Sequence, residues 1–204
     1  MPQLKKIVIV NDQQLWSDFR AGDHGAYTQL IQNYFKQMFT YGIRLNKDRD
    51  FVKDCIQDVF YDLWKRRSRT SQVESVKSYL FTAVRNRIYR EQKKWNITTE
   101  VTDDYAFDAE INIEVRIIED QNTVELKRKI EGILNNMPPR QKEILYLRFY
   151  ENMDHTKIAE IMGLNHQVVY NLLHKALLRL RKDWAILPCL FSSLQFYGHI
   201  ASNK

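Results

Sequence analysis

The stretch MDHTKIAEIMGLNHQVVYNLLHKALLRLRKD (153–183) carries the strongest structural pattern in the chain. Asp154 can cap a first helix, and Gly163 supplies the left-handed residue that often ends one. Asn165 can cap a second helix, in which apolar residues recur every three to four positions. The stretch predicts a helix-turn-helix, whose second helix enters the major groove of DNA. An ordinary helical hairpin with a solvated outer face is the alternative.

The predicted second helix has an apolar stripe on one side and polar side chains on the other. The stripe would pack against the first helix, which leaves the polar side facing outwards. We predict that this polar side reads DNA. Its residues are Asn165, His166, Gln167, Tyr170, Asn171, His174, Lys175 and Arg179.

Charge divides the 204-residue chain into segments, although the formal net charge is only +6. Residues 1–95 hold 18 lysines and arginines against 10 acidic residues, whereas residues 96–122 hold 1 against 8. Residues 123–204 are basic again, and their last part, 185–204, is an apolar tail. With only 6 glycines and 4 prolines, we expect an all-α protein. Two small helical domains, 1–95 and 123–184, would be joined by an acidic linker, and the basic domains favour a polyanionic partner.

The cysteines and the length of the apolar runs indicate the cellular compartment in which the protein is expected. Cys55 and Cys189 are the only cysteines and belong to no CxxC pair, which favours a reducing cytoplasm and excludes a zinc ribbon. The apolar run at residues 7–10 is too short for a signal peptide, and no apolar stretch reaches transmembrane length. We expect a cytoplasmic protein without a metal or cofactor.

An acidic stripe marks the predicted helix over residues 51–66. Asp54, Asp58 and Asp62 stand four residues apart, so they share one helical face, where like charges mildly repel one another. A solvated face explains such a stripe as well as a basic protein partner does. In an otherwise cationic domain the basic partner is the better explanation.

The predicted helix over residues 76–94 interleaves aromatic rings with cations. Phe81, Arg85 and Tyr89 share a face that we expect on the outer side, followed by Arg90, Lys93 and Lys94. Cations hold a nucleic-acid backbone while bases stack on rings, so this pattern suits single-stranded nucleic acid. Aromatic residues at helical spacing are more often part of a core.

Three further expectations concern neighbouring segments. Asp12 and Asp23 should cap two successive helices, the second of which runs to about Leu45. Residues 140–150 should form a helix that buries Ile144, Leu145, Leu147 and Phe149. The apolar tail should pack on the protein's own surface, with docking to a regulator or a membrane as the alternative.

These segments together carry a family resemblance. DCIQDVFYDLW (54–64) followed by SYLFTAVRNRIYREQKK (78–94) resembles the polymerase-binding and promoter-melting helices of bacterial sigma factors. Residues 138–182 resemble the C-terminal promoter-binding domain of that family. Two such domains joined by a short linker are similar to the extracytoplasmic-function (ECF) subfamily. The resemblance implies a transcription initiation factor, with no catalysis of its own.

The resemblance also implies roles for individual residues. Core-polymerase binding falls on the 54–64 helix, at Asp54, Gln57, Asp58, Tyr61, Asp62 and Trp64. Binding and melting of the downstream promoter element fall on Arg66, Arg67, Arg69, Tyr79, Phe81, Arg85, Asn86, Tyr89, Arg90, Lys93 and Lys94. The loop 66–73 would capture a flipped base, whose extrusion costs a few kcal/mol of unstacking. The polar side of the second helix in 153–183 would read the upstream element.

The implied partners are core RNA polymerase, double-stranded upstream and single-stranded downstream promoter DNA, and a membrane-linked anti-sigma factor, with no small-molecule substrate. Some positions depart from the family pattern: Arg87 stands where an apolar residue is usual, and Tyr170 where a basic one is common. A recognition helix with so few cations should depend on Gln167 and Asn171, which can pair with adenine.

Two other classes of protein compete with this interpretation. An enzyme is disfavoured because no P-loop, GxSxG or HExxH motif is present. His166 and His174 lie about 12 Å apart along one helix, too far to share a metal. A stand-alone helix-turn-helix regulator explains residues 153–183 equally well, but it leaves the acidic stripe and the aromatic-basic helix unexplained.

Overall fold

The computed structural model describes residues 11–95, 107–108 and 132–183, and all regular structure in these ranges is helical. The elements are α1 Asp12–Ala21, α2 His24–Leu45, α3 Arg49–Arg66, α4 Val76–Trp95, α5 Pro139–Leu145, α6 His155–Met162 and α7 His166–Asp183. A 3₁₀ turn, Arg67–Arg69, follows α3, and a π-helical turn, Tyr146–Tyr150, follows α5. The predictions for residues 1–10, most of the acidic linker and the apolar tail lie outside the described residues. No helix in the described ranges is long and apolar enough to cross a membrane.

Polar side chains start the first helices. Asp23 caps α2 as predicted, since its carboxylate accepts a hydrogen bond from the Ala26 backbone N–H at 2.9 Å. The prediction for Asp12 is wrong by one residue. Asn11 caps α1, while the Asp12 carboxylate accepts a hydrogen bond from the Tyr34 hydroxyl. Both aspartate side chains therefore fix the start of a helix, one by capping and one by tying α1 to α2.

Helices α1 to α4 form the first domain around a core of large side chains. The fully buried members include Trp16, Phe19, Leu30, Met38, Ile56, Leu80 and Ile88. Trp16 also donates its indole N–H to the Ser71 carbonyl at 3.1 Å, which ties the loop after the 3₁₀ turn to α1. This contact holds the loop that carries the predicted base-capturing residues.

Helices α5 to α7 form the second domain, and its helix-turn-helix is confirmed. Asp154 accepts a hydrogen bond from the Lys157 N–H at 2.9 Å, and Asn165 accepts one from the Val168 N–H at 2.8 Å. Gly163 takes the left-handed conformation with φ of 64°. Each of the three residues therefore does what the local sequence predicts, because caps and left-handed turns depend on immediate neighbours.

Phe149 is the exception in this domain. It was expected in the core with Leu147, but 55% of it is exposed. The chain leaves α-helical geometry at Tyr146 and continues as a π-helical turn, which shifts the faces of the helix. Tyr146 therefore takes the buried position and Phe149 points outwards.

The two domains are in contact. Helix α4 of the first domain packs against α6 of the second. Phe107 from the linker is buried, with its ring centroid 6.4 Å from that of Tyr41 and 5.9 Å from that of Tyr146. The next residue, Asp108, donates its backbone N–H to the Arg44 carbonyl at 2.8 Å. This part of the linker thus joins a core that both domains share.

Candidate nucleic-acid interface

The acidic stripe of α3 lies at the surface but already has one basic partner. Arg87 of α4 places Nη2 2.7 Å from Asp62 Oδ2 and Nη1 3.6 Å from Asp58 Oδ2. The same guanidinium lies 3.3 Å from Glu91. Asp54, one turn earlier, is exposed and is not a partner of Arg87 among the described ion pairs. The unusual arginine is therefore matched by the acidic side chains of the neighbouring helix.

A cavity of about 180 Å³ opens between α3, the following turn and α4. Its polar and charged lining consists of Asp62, Arg66, Thr70, Tyr79, Asn86, Arg87 and Arg90. Five of these residues are predicted polymerase-binding or downstream-DNA residues, although the sequence places them on different segments. The fold brings them together because α3 and α4 pack side by side.

The remaining predicted downstream residues divide by exposure. Arg69, Lys93 and Lys94 are exposed at the surface. Arg67 instead lies over the Trp64 ring, with its guanidinium carbon 4.2 Å from the ring centroid. Trp64 itself is half-buried against Tyr27, with centroids 4.8 Å apart. Packing explains Trp64 at least as well as a contact with polymerase does.

The prediction that Phe81, Arg85 and Tyr89 form an outer side of α4 is wrong in this structure. Phe81 is fully buried and stacks on Tyr41, with centroids 4.9 Å apart and planes at 16°. The Arg85 side chain is only 11% exposed, and its guanidinium carbon lies 4.6 Å from the Tyr89 ring centroid. The second domain covers this side of α4. Helical spacing shows that three residues share a face, but not what lies against it.

Glu143 of α5 lies opposite these residues with its side chain fully buried. Arg85 donates from Nε at 2.8 Å and from Nη2 at 3.3 Å to its two carboxylate oxygens. The Tyr41 hydroxyl donates to the same Oε1. Burial alone would lower the pKa of Arg85, but the charge and hydrogen bonds of Glu143 outweigh it and raise that pKa. Burial, and then the charge of Glu143, raise the pKa of the Tyr41 hydroxyl.

Two more polar contacts join α4 to carboxylates of the second domain. Lys77 Nζ lies 2.7 Å from Glu151 Oε2, and the Ser78 hydroxyl donates to Glu160 Oε2 at 3.1 Å. Neither Glu143 nor Glu151 was predicted as an interface residue. The residue type did not indicate their burial. In the sequence, a glutamate that will be buried against an arginine looks the same as one that will face solvent.

The predicted recognition surface on α7 is exposed as expected. All eight polar residues, Asn165, His166, Gln167, Tyr170, Asn171, His174, Lys175 and Arg179, are at the surface. Two pairs order this surface: Gln167 donates to Asn171 at 3.1 Å, and the Tyr170 and His174 rings are parallel, with centroids 6.3 Å apart. Side chains that are already ordered lose less entropy on binding.

Comparisons with known proteins agree with this architecture. The family model for Sigma-70 region 2 matches residues 30–96, and the model for Sigma-70 region 4 matches residues 127–180. The ECF RNA polymerase sigma factor SigM of Bacillus subtilis (strain 168) is 20% identical over 153 residues, which cover 75% of this chain and 91% of SigM.

Two further similarities are shorter or structural. RNA polymerase sigma factor SigF of Mycobacterium tuberculosis (strain ATCC 25618 / H37Rv) is 38% identical over 58 residues, or 28% of this chain and 22% of SigF. The chain thus matches about a fifth of the length of that relative. The sigma factor RpoE of Bartonella quintana, solved with the anti-sigma factor NepR, superposes with a TM-score of 0.56 at 18% identity. That match covers 79% of this chain and 98% of RpoE, and it supports the fold.

Regions 2 and 4 occur in order and together match more than half of the chain, so the protein belongs to the sigma-70 family of RNA polymerase sigma factors. The alignment along nearly all of SigM, together with the two-domain fold, assigns it to the ECF type.

Proposed function

We propose that the protein is a transcription initiation factor that binds core RNA polymerase in the cytoplasm and directs it to specific promoters. The observation that carries the proposal is the presence of sigma-70 regions 2 and 4 in one chain. The polymerase supplies the catalysis, and the sigma factor supplies promoter recognition and assists melting. A stand-alone regulator would need region 4 but has no use for region 2.

The polymerase-binding surface is the exposed side of α3. Asp54 and Gln57 are exposed there, and 64% of Tyr61 is accessible beside them. Asp58 and Asp62 complete the surface, and both form ion pairs with Arg87. A row of carboxylates around an exposed aromatic ring suits a basic partner, because charge complementarity guides encounter and the ring contributes buried area.

The downstream promoter element binds along the cavity between α3 and α4. Asn86 and Tyr79 line it and can contact an extruded base by hydrogen bonding and stacking. Arg66 and Arg90 line its rim, while Arg69, Lys93 and Lys94 extend the cationic surface for the backbone. Arg67 anchors this region through Trp64. Phe81, Arg85 and Tyr89 join the surface only when the second domain moves away.

The upstream element binds to the outer side of α7. Gln167 and Asn171 are adjacent and exposed, so they can present amide groups to adenine in the major groove. Lys175 and Arg179 follow one and two turns later and suit phosphate contacts, which position the helix without reading sequence. His166, Tyr170 and His174 complete the surface.

An anti-sigma factor is the proposed regulator, and we expect it to be linked to the membrane. The support is by analogy: RpoE, which has the same fold, was solved as a complex with the anti-sigma factor NepR. Such a regulator would keep the protein from polymerase until a signal releases it.

Run-off transcription with core polymerase on fragments of the host genome tests the proposal. We expect specific initiation with the wild-type chain and strongly reduced initiation with Asp54→Lys, whose charge reversal opposes a basic partner. Asp50→Lys is the matched control, since Asp50 is an exposed acidic residue in the first turn of the same helix. Absence of any specific initiation would refute the function, and equal effects of the two variants would refute the docking surface. Tight binding to promoter duplex without polymerase would favour the stand-alone regulator.

A further inference from the structure

One side of α1 holds the loop between the 3₁₀ turn and α4. Gln13, Trp16 and Arg20 lie three and four residues apart, so they share a helical face. Their side chains donate hydrogen bonds to four backbone carbonyls of the loop, at distances between 2.6 and 3.1 Å. These carbonyls belong to Thr70, Ser71, Val73 and Glu74. The face of α1 therefore contacts nearly every residue of this stretch, which we call the 70–74 loop.

The side chain of Gln72 completes the contact. Its Oε1 accepts a hydrogen bond from Arg20 Nη1 at 3.1 Å, and its Nε2 donates to Gln13 Oε1 at 2.7 Å. Within residues 71–74, by contrast, no backbone N–H donates to a backbone carbonyl in the described part of the chain. Since the loop has no such hydrogen bonds of its own, its conformation depends on the side chains of α1.

The same face of α1 lies behind the cavity between α3 and α4. Trp16 is fully buried, and its ring meets the Tyr79 ring edge-on, with centroids 5.2 Å apart. Tyr79 of α4 and Thr70 of the loop both line the cavity, whereas no residue of α1 is among its described lining residues. Trp16 and Arg20 thus support two parts of the cavity wall without reaching the space that a base would occupy.

We propose that Gln13, Trp16 and Arg20 are positioning residues for base capture, which hold the 70–74 loop in the conformation that receives an extruded base. A loop that is ordered before binding loses less conformational entropy when the base enters. The α1 face should therefore raise the affinity for the extruded base itself, and it should leave phosphate binding and polymerase docking unchanged. The inference rests on the proposed function, because that function supplies a promoter base as the ligand.

The first test measures backbone order in the full-length protein by NMR relaxation, without DNA or polymerase. Gln13→Ala removes three of the six hydrogen bonds between α1 and the loop and leaves the net charge unchanged. We expect the order parameters of the 70–74 loop to fall from about 0.85 to about 0.6 or lower, while those of α3 stay the same.

Gln14→Ala is the matched control for this measurement. Gln14 is the next residue of α1, and its side chain donates to Asp18 of the same helix rather than to the loop. An unchanged loop in Gln13→Ala, or an equal loss of order in Gln14→Ala, would overturn the proposal.

The second test measures whether the α1 face acts on the base. The probe is a fork-junction fragment of a promoter identified by run-off transcription, bound to the protein assembled with core polymerase. An abasic site is moved through its single-stranded downstream element, and the position that weakens wild-type binding most marks the extruded base. Loss of that base should raise the wild-type Kd about tenfold, the order expected for one stacked base. In Gln13→Ala the same loss should raise the Kd only about twofold, because the loop no longer holds the base well.

The abasic fragment separates positioning from a general structural role. We expect it to bind to wild type and Gln13→Ala with the same Kd, since only base capture is impaired. Trp16→Phe removes the indole donor but keeps a ring beside Tyr79, and it should behave like Gln13→Ala. Equal weakening of the intact and abasic fragments in these variants would overturn the proposal, as would the same pattern in Gln14→Ala.

The proposed function fails separately, if the wild-type chain with core polymerase initiates at no promoter. The NMR measurement needs neither polymerase nor DNA, so it still decides whether α1 orders the loop. If initiation is specific and the α1 variants match the control, the function stands and only the positioning role is refuted.

Discussion

Gly42, in the last turn of α2, determines how closely three helices approach. A Cβ atom at this position would lie 2.6 Å from Val52 Cγ1 of α3 and 3.3 Å from Ile88 Cδ1 of α4. Both neighbours are fully buried and cannot move away freely. The absence of a side chain at residue 42 thus positions α3 and α4, the helices that form the candidate interface.

We expect Gly42→Ala to destabilise the protein. Alanine gains about 1 kcal/mol of helix propensity over glycine, but overpacking a core costs about 1–3 kcal/mol. Urea denaturation should show a lower free energy of unfolding. Gly132→Ala is the control, because residue 132 is also helical and no atom lies within 4 Å of its added Cβ. If Gly42→Ala proves as stable as the control, the close approach is not a constraint.

Cys55 should be unreactive in the folded protein. Burial raises the pKa of its thiol to about 11, so the reactive thiolate is scarce near neutral pH. In a Cys189→Ser variant at pH 8, we expect iodoacetamide to modify the folded chain at least about 100-fold more slowly than the urea-unfolded chain. Equal rates would show that α3 opens readily.

At the scale of the element, the turn between α6 and α7 is built from residues that act on their immediate neighbours. Hydrogen bonds from the Lys157 side chain and backbone to the Asp154 carboxylate lower the pKa of that group below its ordinary value of 3.8. The charged form of Asp154 therefore stabilises α6. Since α6 positions α7, the cap also supports the recognition surface.

We expect Asp154→Ala to lower the free energy of unfolding by about 1 kcal/mol at pH 7. A lowered pKa in the folded state means that the charge stabilises the protein fully above pH 3.8. The difference between wild type and variant should shrink as the pH falls below that value, through the pKa of the folded state. Chemical denaturation at several pH values measures it. Thr156→Ala, an exposed truncation in the same turn, should show no such pH dependence.

At the scale of the whole molecule, the two domains share buried contacts. Tyr41 and Phe81 of the first domain, Phe107 of the linker and Tyr146 of the second form one aromatic cluster. Glu143 lies beside it, and removing one partner of such a buried pair leaves an unpaired charge, which typically costs about 3–5 kcal/mol. That cost applies only while the two domains are in contact. When the domains separate, Arg85 and Glu143 both become hydrated and neither charge is buried.

Calorimetry should therefore show one cooperative transition for the wild-type chain. Glu143→Gln weakens the coupling between the domains, so we expect its unfolding to broaden or separate into two transitions. Glu160→Gln is the control, since it removes the same charge from an exposed interface residue. One sharp transition in Glu143→Gln, at the temperature of the control, would show that the pair does not couple the domains.

Features that depend on near neighbours were predictable from the amino-acid sequence alone. These are the helical class, the caps at Asp23, Asp154 and Asn165, the turn at Gly163 and the exposed side of α7. Such features follow from hydrogen bonds within a few residues and from the helical period, so they can be read without knowing the fold. The acidic stripe on α3 was predictable for the same reason.

What covers each helical face depends on how the helices pack in three dimensions. Phe81 and Arg85 share a side of α4 whether that side meets water, DNA or protein, and it was predicted to face outwards. Glu143 stands 58 residues from Arg85 and resembles any surface acid until the domains pack. Arg87, likewise, finds Asp58 and Asp62 only because α3 lies beside α4. Contacts between distant residues depend on how helices pack, and helical periodicity carries no information about that packing.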